Sequence, residues 1–289
     1  MTDGEDEAVG EMSDGLQVEL FHPDSDREPG DTNIQRFGFD IHPIVFPVAL
    51  LIIGLFIAAT IGLGQDAAAV YTWLFEFIGN NFGWFYLLAV NIFIVVLLFF
   101  AFSRYGNIKI GGVEADKEFS DFSWMAMLFS AGMGIGLMFF SVLEPVFYFT
   151  SVPGFWGAEA ETGAAASAAM AQTFFHWGFH PWAIYGLVGL GLAFFSFNRG
   201  LPLTFRSIFW PLLGERIYGW PGHIIDLVTV FATLFGLATS LGLGVAQVNR
   251  GLSYVGGELL GLFSIAGDSV FIQIALIAGI TGIATLSVA

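Results

Sequence analysis

The string His176-Trp177-Gly178-Phe179-His180-Pro181-Trp182-Ala183-Ile184-Tyr185 places two tryptophans, a tyrosine, two histidines and a proline within ten residues. Each of the Trp177, Trp182 and Tyr185 rings can attract a cation to its face, an interaction worth about 2 kcal/mol or more when desolvated. Their i, i+5, i+8 spacing spreads them over about 140° of a regular helix. Pro181 deprives the Trp177 carbonyl of its usual partner and predicts a kink there. Such a bend would gather the rings into a cage for a quaternary ammonium ion.

Two other segments could do chemistry. In Ser130-Ala131-Gly132-Met133-Gly134-Ile135-Gly136-Leu137-Met138 every second residue from 132 to 136 is glycine. Each costs a helix about 1 kcal/mol relative to alanine, which a membrane protein tolerates where unwound backbone lines a cavity. Gly132 and Gly136 equally satisfy the small-xxx-small spacing of closely packed helices. Glu144-Pro145 follows, and a carboxylate in an apolar span is a functional candidate. The segment around Thr229, Thr233, Thr239 and Ser240 supplies hydroxyls, which commonly bond their own helix backbone.

These strings must be positioned by membrane helices. Hydrophobic residues make up 56% of the chain and charged ones 12%, with 33 phenylalanines, far from the roughly one-quarter charged content of soluble domains. Six apolar stretches, 44–63, 84–102, 124–149, 168–197, 224–248 and 270–288, approach or exceed the roughly 20 residues that span a bilayer core. The expected fold is therefore all-α and multi-pass, with residues 41–289 as its transmembrane domain.

Charge orients the spans. With the N-terminus inside, Arg27, Arg36, Arg104, Lys109, Lys117, Arg199, Arg206 and Arg216 fall on the inner side and Arg250 alone outside, a positive-inside asymmetry. Residues 1–40 hold twelve acidic residues against two arginines and are expected to form a disordered cytoplasmic tail. Such acidity is typical of proteins from salt-loving prokaryotes, although a regulatory arm is a second reading. The tail lacks the basic start and early apolar stretch of a secretory signal. With no cysteine in the chain, disulfides and thiolate metal sites are excluded.

Three strings, Ala131–Pro145 (AGMGIGLMFFSVLEP), His176–Tyr185 (HWGFHPWAIY) and Phe235–Gln247 (FGLATSLGLGVAQ), together resemble the betaine/choline/carnitine transporter family, and the resemblance extends over most of Ile44–Leu252. It implies a plasma-membrane secondary transporter of trimethylammonium solutes, with twelve helices and two inverted five-helix repeats, often trimeric. It also implies that Trp177, Trp182 and Tyr185 form an aromatic box and that the Gly132, Gly134 and Gly136 stretch contacts substrate. Met133 falls where some members offer a backbone carbonyl to sodium, and Thr233 matches the first of two sodium-binding threonines.

The second threonine position holds Leu237, which has no oxygen to offer a hard cation. Sodium or a proton is the expected coupling ion, and no other cofactor is implied. The chain ends at Ala289 within apolar sequence, so it is expected to be the N-terminal half of such a carrier, a homotrimer when complete. The partners expected are a trimethylammonium solute and the bilayer, not nucleic acid. A transporter-like osmosensor or regulatory protein that binds ligand without net transport is the alternative. An enzyme is not expected: His176 and His180 have HxxxH spacing, but with His22 in the tail, His42 before the first span and His223 at an interfacial loop the ligands are too few for a multi-histidine centre.

Overall fold

The computed structural model describes residues 30–112, 115–262 and 266–288, with the side chains of 131–135, 137–138 and 287–288 outside the described part. Residues Ile34–Arg36 (β1) and Phe39–Ile41 (β2) pair antiparallel, Ile34 opposite Ile41. The expected disordered tail thus gives way to a hairpin before residue 40. Phe37 and Gly38 form its two-residue turn with φ of 55° and 81°, the left-handed pair that a tight hairpin requires. The tail up to residue 29 lies outside the described residues.

Long helices follow. Val45–Leu63 (α1) ends at Gly64, whose amide bonds to the Thr60 and Ile61 carbonyls. Asp66–Phe102 (α2) begins almost at once, with an acidic residue in its first turn that suits the positive end of the helix dipole. The second apolar stretch was expected from residue 84, whereas the helix starts eighteen residues earlier. Its polar residues are absorbed locally: Asn81 Nδ2 donates to the Phe77 carbonyl and Asn91 Nδ2 to that of Leu87, each at 2.7 Å. The hydroxyls of Thr60 and Tyr71 bond to each other between α1 and α2.

The next helix, Asp121–Thr150 (α3), is continuous through Gly132, Gly134, Gly136 and Pro145. An unwound glycine segment is therefore not what the backbone adopts. After a 3₁₀ turn at Gly154–Trp156 come Gly163–Trp177 (α4) and Phe179–Ala193 (α5), the latter running into a π turn at Phe194–Asn198. Two single-turn helices, Phe205–Ile208 (α6) and Trp210–Leu213 (α7), precede Trp220–Leu252 (α8), its π extension Ser253–Leu259, and Val270–Val288 (α9).

Among the described residues, Val45–Leu63, Asp66–Phe102, Gly163–Asn198 and Trp220–Leu259 are long and apolar enough to cross a membrane. Apolar side chains such as Phe75 and Phe102 face outward, as expected where lipid is the solvent. This is an all-α, multi-pass membrane protein.

The chain divides into two compact units. One comprises the chain to Ser120 together with Glu144–Thr229, the other Asp121–Leu143 together with Val230–Ala289. In the first, α2 packs on α5 where Gly186 leaves room for Leu97, and Gly191 makes the same allowance for Ile208 of α6; small residues let membrane helices approach. The buried Asn198 carboxamide joins this unit's loops, donating to the Lys109 carbonyl at 3.1 Å and accepting from the Gly111 amide at 3.0 Å. In the second unit, Asn249 is fully buried and its amide reaches the Ser269 carbonyl at 3.4 Å.

Candidate functional site

The aromatic string is divided at Gly178. Helix α4 ends at Trp177 and α5 starts at Phe179, with Gly178 between them in a non-helical conformation. Pro181 was expected to kink a continuous helix, but it sits instead in the first turn of α5, where a missing N–H leaves no bond unmade. The break falls three residues earlier because glycine alone fits there: a Cβ on Gly178 would lie 2.5 Å from the Phe174 carbonyl oxygen.

The break sorts the expected residues. Trp182 and Tyr185, both on α5, come together with ring centroids 6.1 Å apart at 51°; both are partly exposed. Trp177 lies on the other side of the break, and its indole Nε1 donates to Glu144 Oε1 at 3.0 Å. His180 packs on Phe175, with centroids 4.5 Å apart.

Glu144 collects more than Trp177. His176 Nδ1 lies 3.0 Å from Glu144 Oε2, and the Glu144 side chain is only 15% exposed. On the far side of the imidazole, the Gln172 amide nitrogen donates to His176 Nε2 at 2.8 Å, while Gln172 Oε1 accepts from Trp156 Nε1 at 3.0 Å. The amide orientation fixes the tautomer, because Nε2 accepts and Nδ1 therefore carries the proton donated to Glu144. The edge of Tyr148 covers the same ring at 5.8 Å. The acid was legible in the sequence as a carboxylate in an apolar span. The residues behind His176 were not, since Trp156 belongs to a loop and Gln172 follows an alanine-rich first half of α4.

Gly132, Met133, Gly134 and Gly136 lie in α3 within the second unit. The Met133 side chain is outside the described part. Thr233 is in α8, also in the second unit, and is exposed; Leu237, one turn on, is 60% exposed. Thr229 and Thr239 each donate to a carbonyl of their own helix at 2.9 Å.

A second polar cluster escaped the sequence reading. Arg206, expected on the inner side, is buried on α6 with Nε 2.6 Å from Asp226 Oδ2 and Nη1 3.3 Å from the Ile217 carbonyl. The rings of His42 and His223 meet edge to face at 4.9 Å. His42 Nδ1 accepts from the Ile44 and Val45 amides at 3.3 and 3.2 Å, capping α1. Burial, followed by the nearby Arg206 charge, lowers the His42 pKa, with Asp226 opposing.

The sequence of residues 44–289 matches the family described as BCCT, betaine/carnitine/choline family transporter. The chain belongs to this transporter family. It is 48% identical over 271 residues to glycine betaine transporter 1 of Vibrio parahaemolyticus, covering 91% of this chain and 49% of that protein. A glycine betaine/proline/choline transporter of the same organism is 44% identical over 283 residues, covering 92% of this chain and 50% of the relative. A probable glycine betaine transporter of Desulfitobacterium hafniense is 46% identical over 233 residues, covering 81% and 45%. The chain thus spans about half the length of the curated relatives it matches.

Proposed function

We propose that the chain forms part of a secondary carrier that moves glycine betaine or a related trimethylammonium solute across the plasma membrane by alternating access. The observation that carries this reading is the paired Trp182 and Tyr185 rings just beyond the Gly178 break, in a chain whose relatives are named as glycine betaine transporters. Trp177, Trp182 and Tyr185 hold the ammonium group by cation–π attraction, which survives in an apolar setting because the faces need no counter-ion. Gly132, Gly134 and Gly136, which carry no side chains, leave space for the solute along α3. The Met133 carbonyl and Thr233 hydroxyl are the oxygens offered to a coupling sodium ion, and with Leu237 one turn after Thr233 a proton is the other coupling ion.

No bond is made or broken in the solute. Work is done by binding it in one conformation and releasing it in another, so the ligand must interact differently with the two. The N-terminus lies in the cytoplasm and the complete carrier assembles as a homotrimer.

The test compares glycine betaine with tert-butylacetate, an isostere whose quaternary centre is carbon, for competition against labelled betaine on a binding-competent carrier. Betaine should compete and tert-butylacetate should fail to do so at a hundredfold higher concentration. Equal competition would reject the cationic site, while binding without accumulation in reconstituted vesicles would favour a sensor.

A further inference from the structure

We propose that Glu144 is the positioning residue for Trp177, acting as the acceptor terminus of a one-way hydrogen-bond chain that starts at Trp156. The proposal rests on the reading of Trp177 as part of the ammonium box.

The chain's direction is set by its ends. An indole N–H can only donate, so Trp156 commits Gln172 Oε1 to accepting, and the Gln172 amide nitrogen must then donate onward to His176 Nε2. His176 is left with its proton on Nδ1, aimed at Glu144 Oε2, while the indole of Trp177 donates to Oε1. Both oxygens of residue 144 therefore face a donor. A carboxylate satisfies both, and bonds to an ionised acceptor are the stronger kind. With one edge fixed to Glu144, the Trp177 ring loses rotational freedom before any ligand arrives, and preorganisation of this kind raises affinity. The far end of the chain is the 3₁₀ turn Gly154–Trp156, so the connecting segment before α4 bears on the ring's orientation.

The same directionality yields a test that a merely structural contact would fail. In Glu144→Gln the carboxamide keeps one acceptor and gains an NH₂ that faces a donor. Reversing the His176 tautomer would relieve this only if Gln172 flipped, and Trp156 forbids the flip. Removing the indole N–H with Trp156→Phe lifts that block. Glu144→Gln should therefore weaken glycine betaine binding about tenfold, Trp156→Phe less than threefold, and the double variant should return to within threefold of the parent.

Ultraviolet resonance Raman gives a ligand-free readout. The indole N–H band assigned to Trp177, by difference from Trp177→Phe, should shift toward a weaker hydrogen bond in Glu144→Gln and return in the double variant. Multiplicative losses of affinity, or a Trp177 band indifferent to Glu144→Gln, would overturn the proposal. If Glu144→Gln does not fold, Trp156→Phe should restore folded protein, and failure to do so would overturn it equally. A responsive band with betaine affinity unchanged even in Trp177→Phe would leave the clamp standing and remove Trp177 from the box.

Discussion

Arg206 and Asp226 join α6 to the first turns of α8 through a buried pair, with the guanidinium Nε 2.6 Å from the carboxylate and the Arg206 amide 3.3 Å from the other oxygen. A charge this far from water is stable only with its partner in place. Asp226→Ala should lower stability by about 3–5 kcal/mol, because it strands a buried cation, whereas replacing both residues with apolar ones should cost far less. Thermal unfolding of the parent, single and double variants in one detergent checks this. A single variant as stable as the parent would show that the pair is irrelevant.

Gly178 holds the break between α4 and α5, and its missing side chain is what lets the Phe174 carbonyl come so close. Gly178→Ala should force the backbone apart, lowering stability by about 1–3 kcal/mol and weakening betaine binding through displacement of Trp182 and Tyr185. By contrast, Gly189→Ala, on α5 with open space around its Cβ position, should be tolerated. Equal behaviour of the two variants would show that the close approach does not matter.

Much of this was legible in the sequence, for reasons that particular residues make plain. Apolar runs locate helices because lipid demands them, and the string from His176 to Tyr185 is informative because tryptophan, proline and histidine are rare inside a span. The position of the break was not legible: proline marks a disturbed helix but not which neighbour yields, and that was decided by glycine at 178 against the Phe174 carbonyl. The start of α2 was missed because Asn80, Asn81 and Glu76 dilute its apolar character. The hairpin was missed because its turn is Phe37-Gly38, without the Asn or Asp that ordinarily announces one. Contacts such as His42 with His223 and Glu144 with His176 join residues far apart in the chain, and nothing in the spacing records them.

His42 predicts a pH dependence at the start of α1. Its pKa is lowered from the ordinary 6.5 by burial and then by Arg206, so in the window just below 6.5 the opened state binds a proton that the closed state does not. Stability of the closed state is thus complete above 6.5 and falls as the pH drops toward the lowered pKa. The groups facing it are His223 and Asp226 on α8 and Arg206 on α6. Hydrogen exchange at the Ile44 and Val45 amides, which His42 caps, should quicken on acidification beyond the intrinsic rate. His42→Asn retains a capping acceptor without titrating there and should reduce this extra dependence to what His223, whose pKa is likewise lowered by burial and Arg206, contributes. An identical profile in parent and variant would refute the assignment.

Leu237 predicts weakened sodium coupling. It lies one helical turn after Thr233 and carries only carbon, whereas a hard cation is held by oxygen. In a transport-competent carrier, Leu237→Thr should lower the sodium concentration for half-maximal betaine uptake at least threefold, and Leu237→Val should not. If both variants leave the sodium dependence unchanged, position 237 does not border an ion site.

Trp182 offers the most direct test of the box. Its ring pairs with Tyr185, and the residue is 39% exposed. Trp182→Leu should weaken glycine betaine binding by about 1–2 kcal/mol, or roughly five- to thirtyfold, with the protein still folded. Trp182→Phe keeps an aromatic face of smaller quadrupole and should fall between parent and leucine. His176→Ala removes no box ring and should cost less than Trp182→Leu, acting only through the looser hold on Glu144. Titration of detergent-purified, binding-competent variants gives the order directly. An affinity for Trp182→Leu equal to the parent's would remove Trp182 from the site, whereas a graded series from tryptophan through phenylalanine to leucine is the result expected for a cation held against the ring.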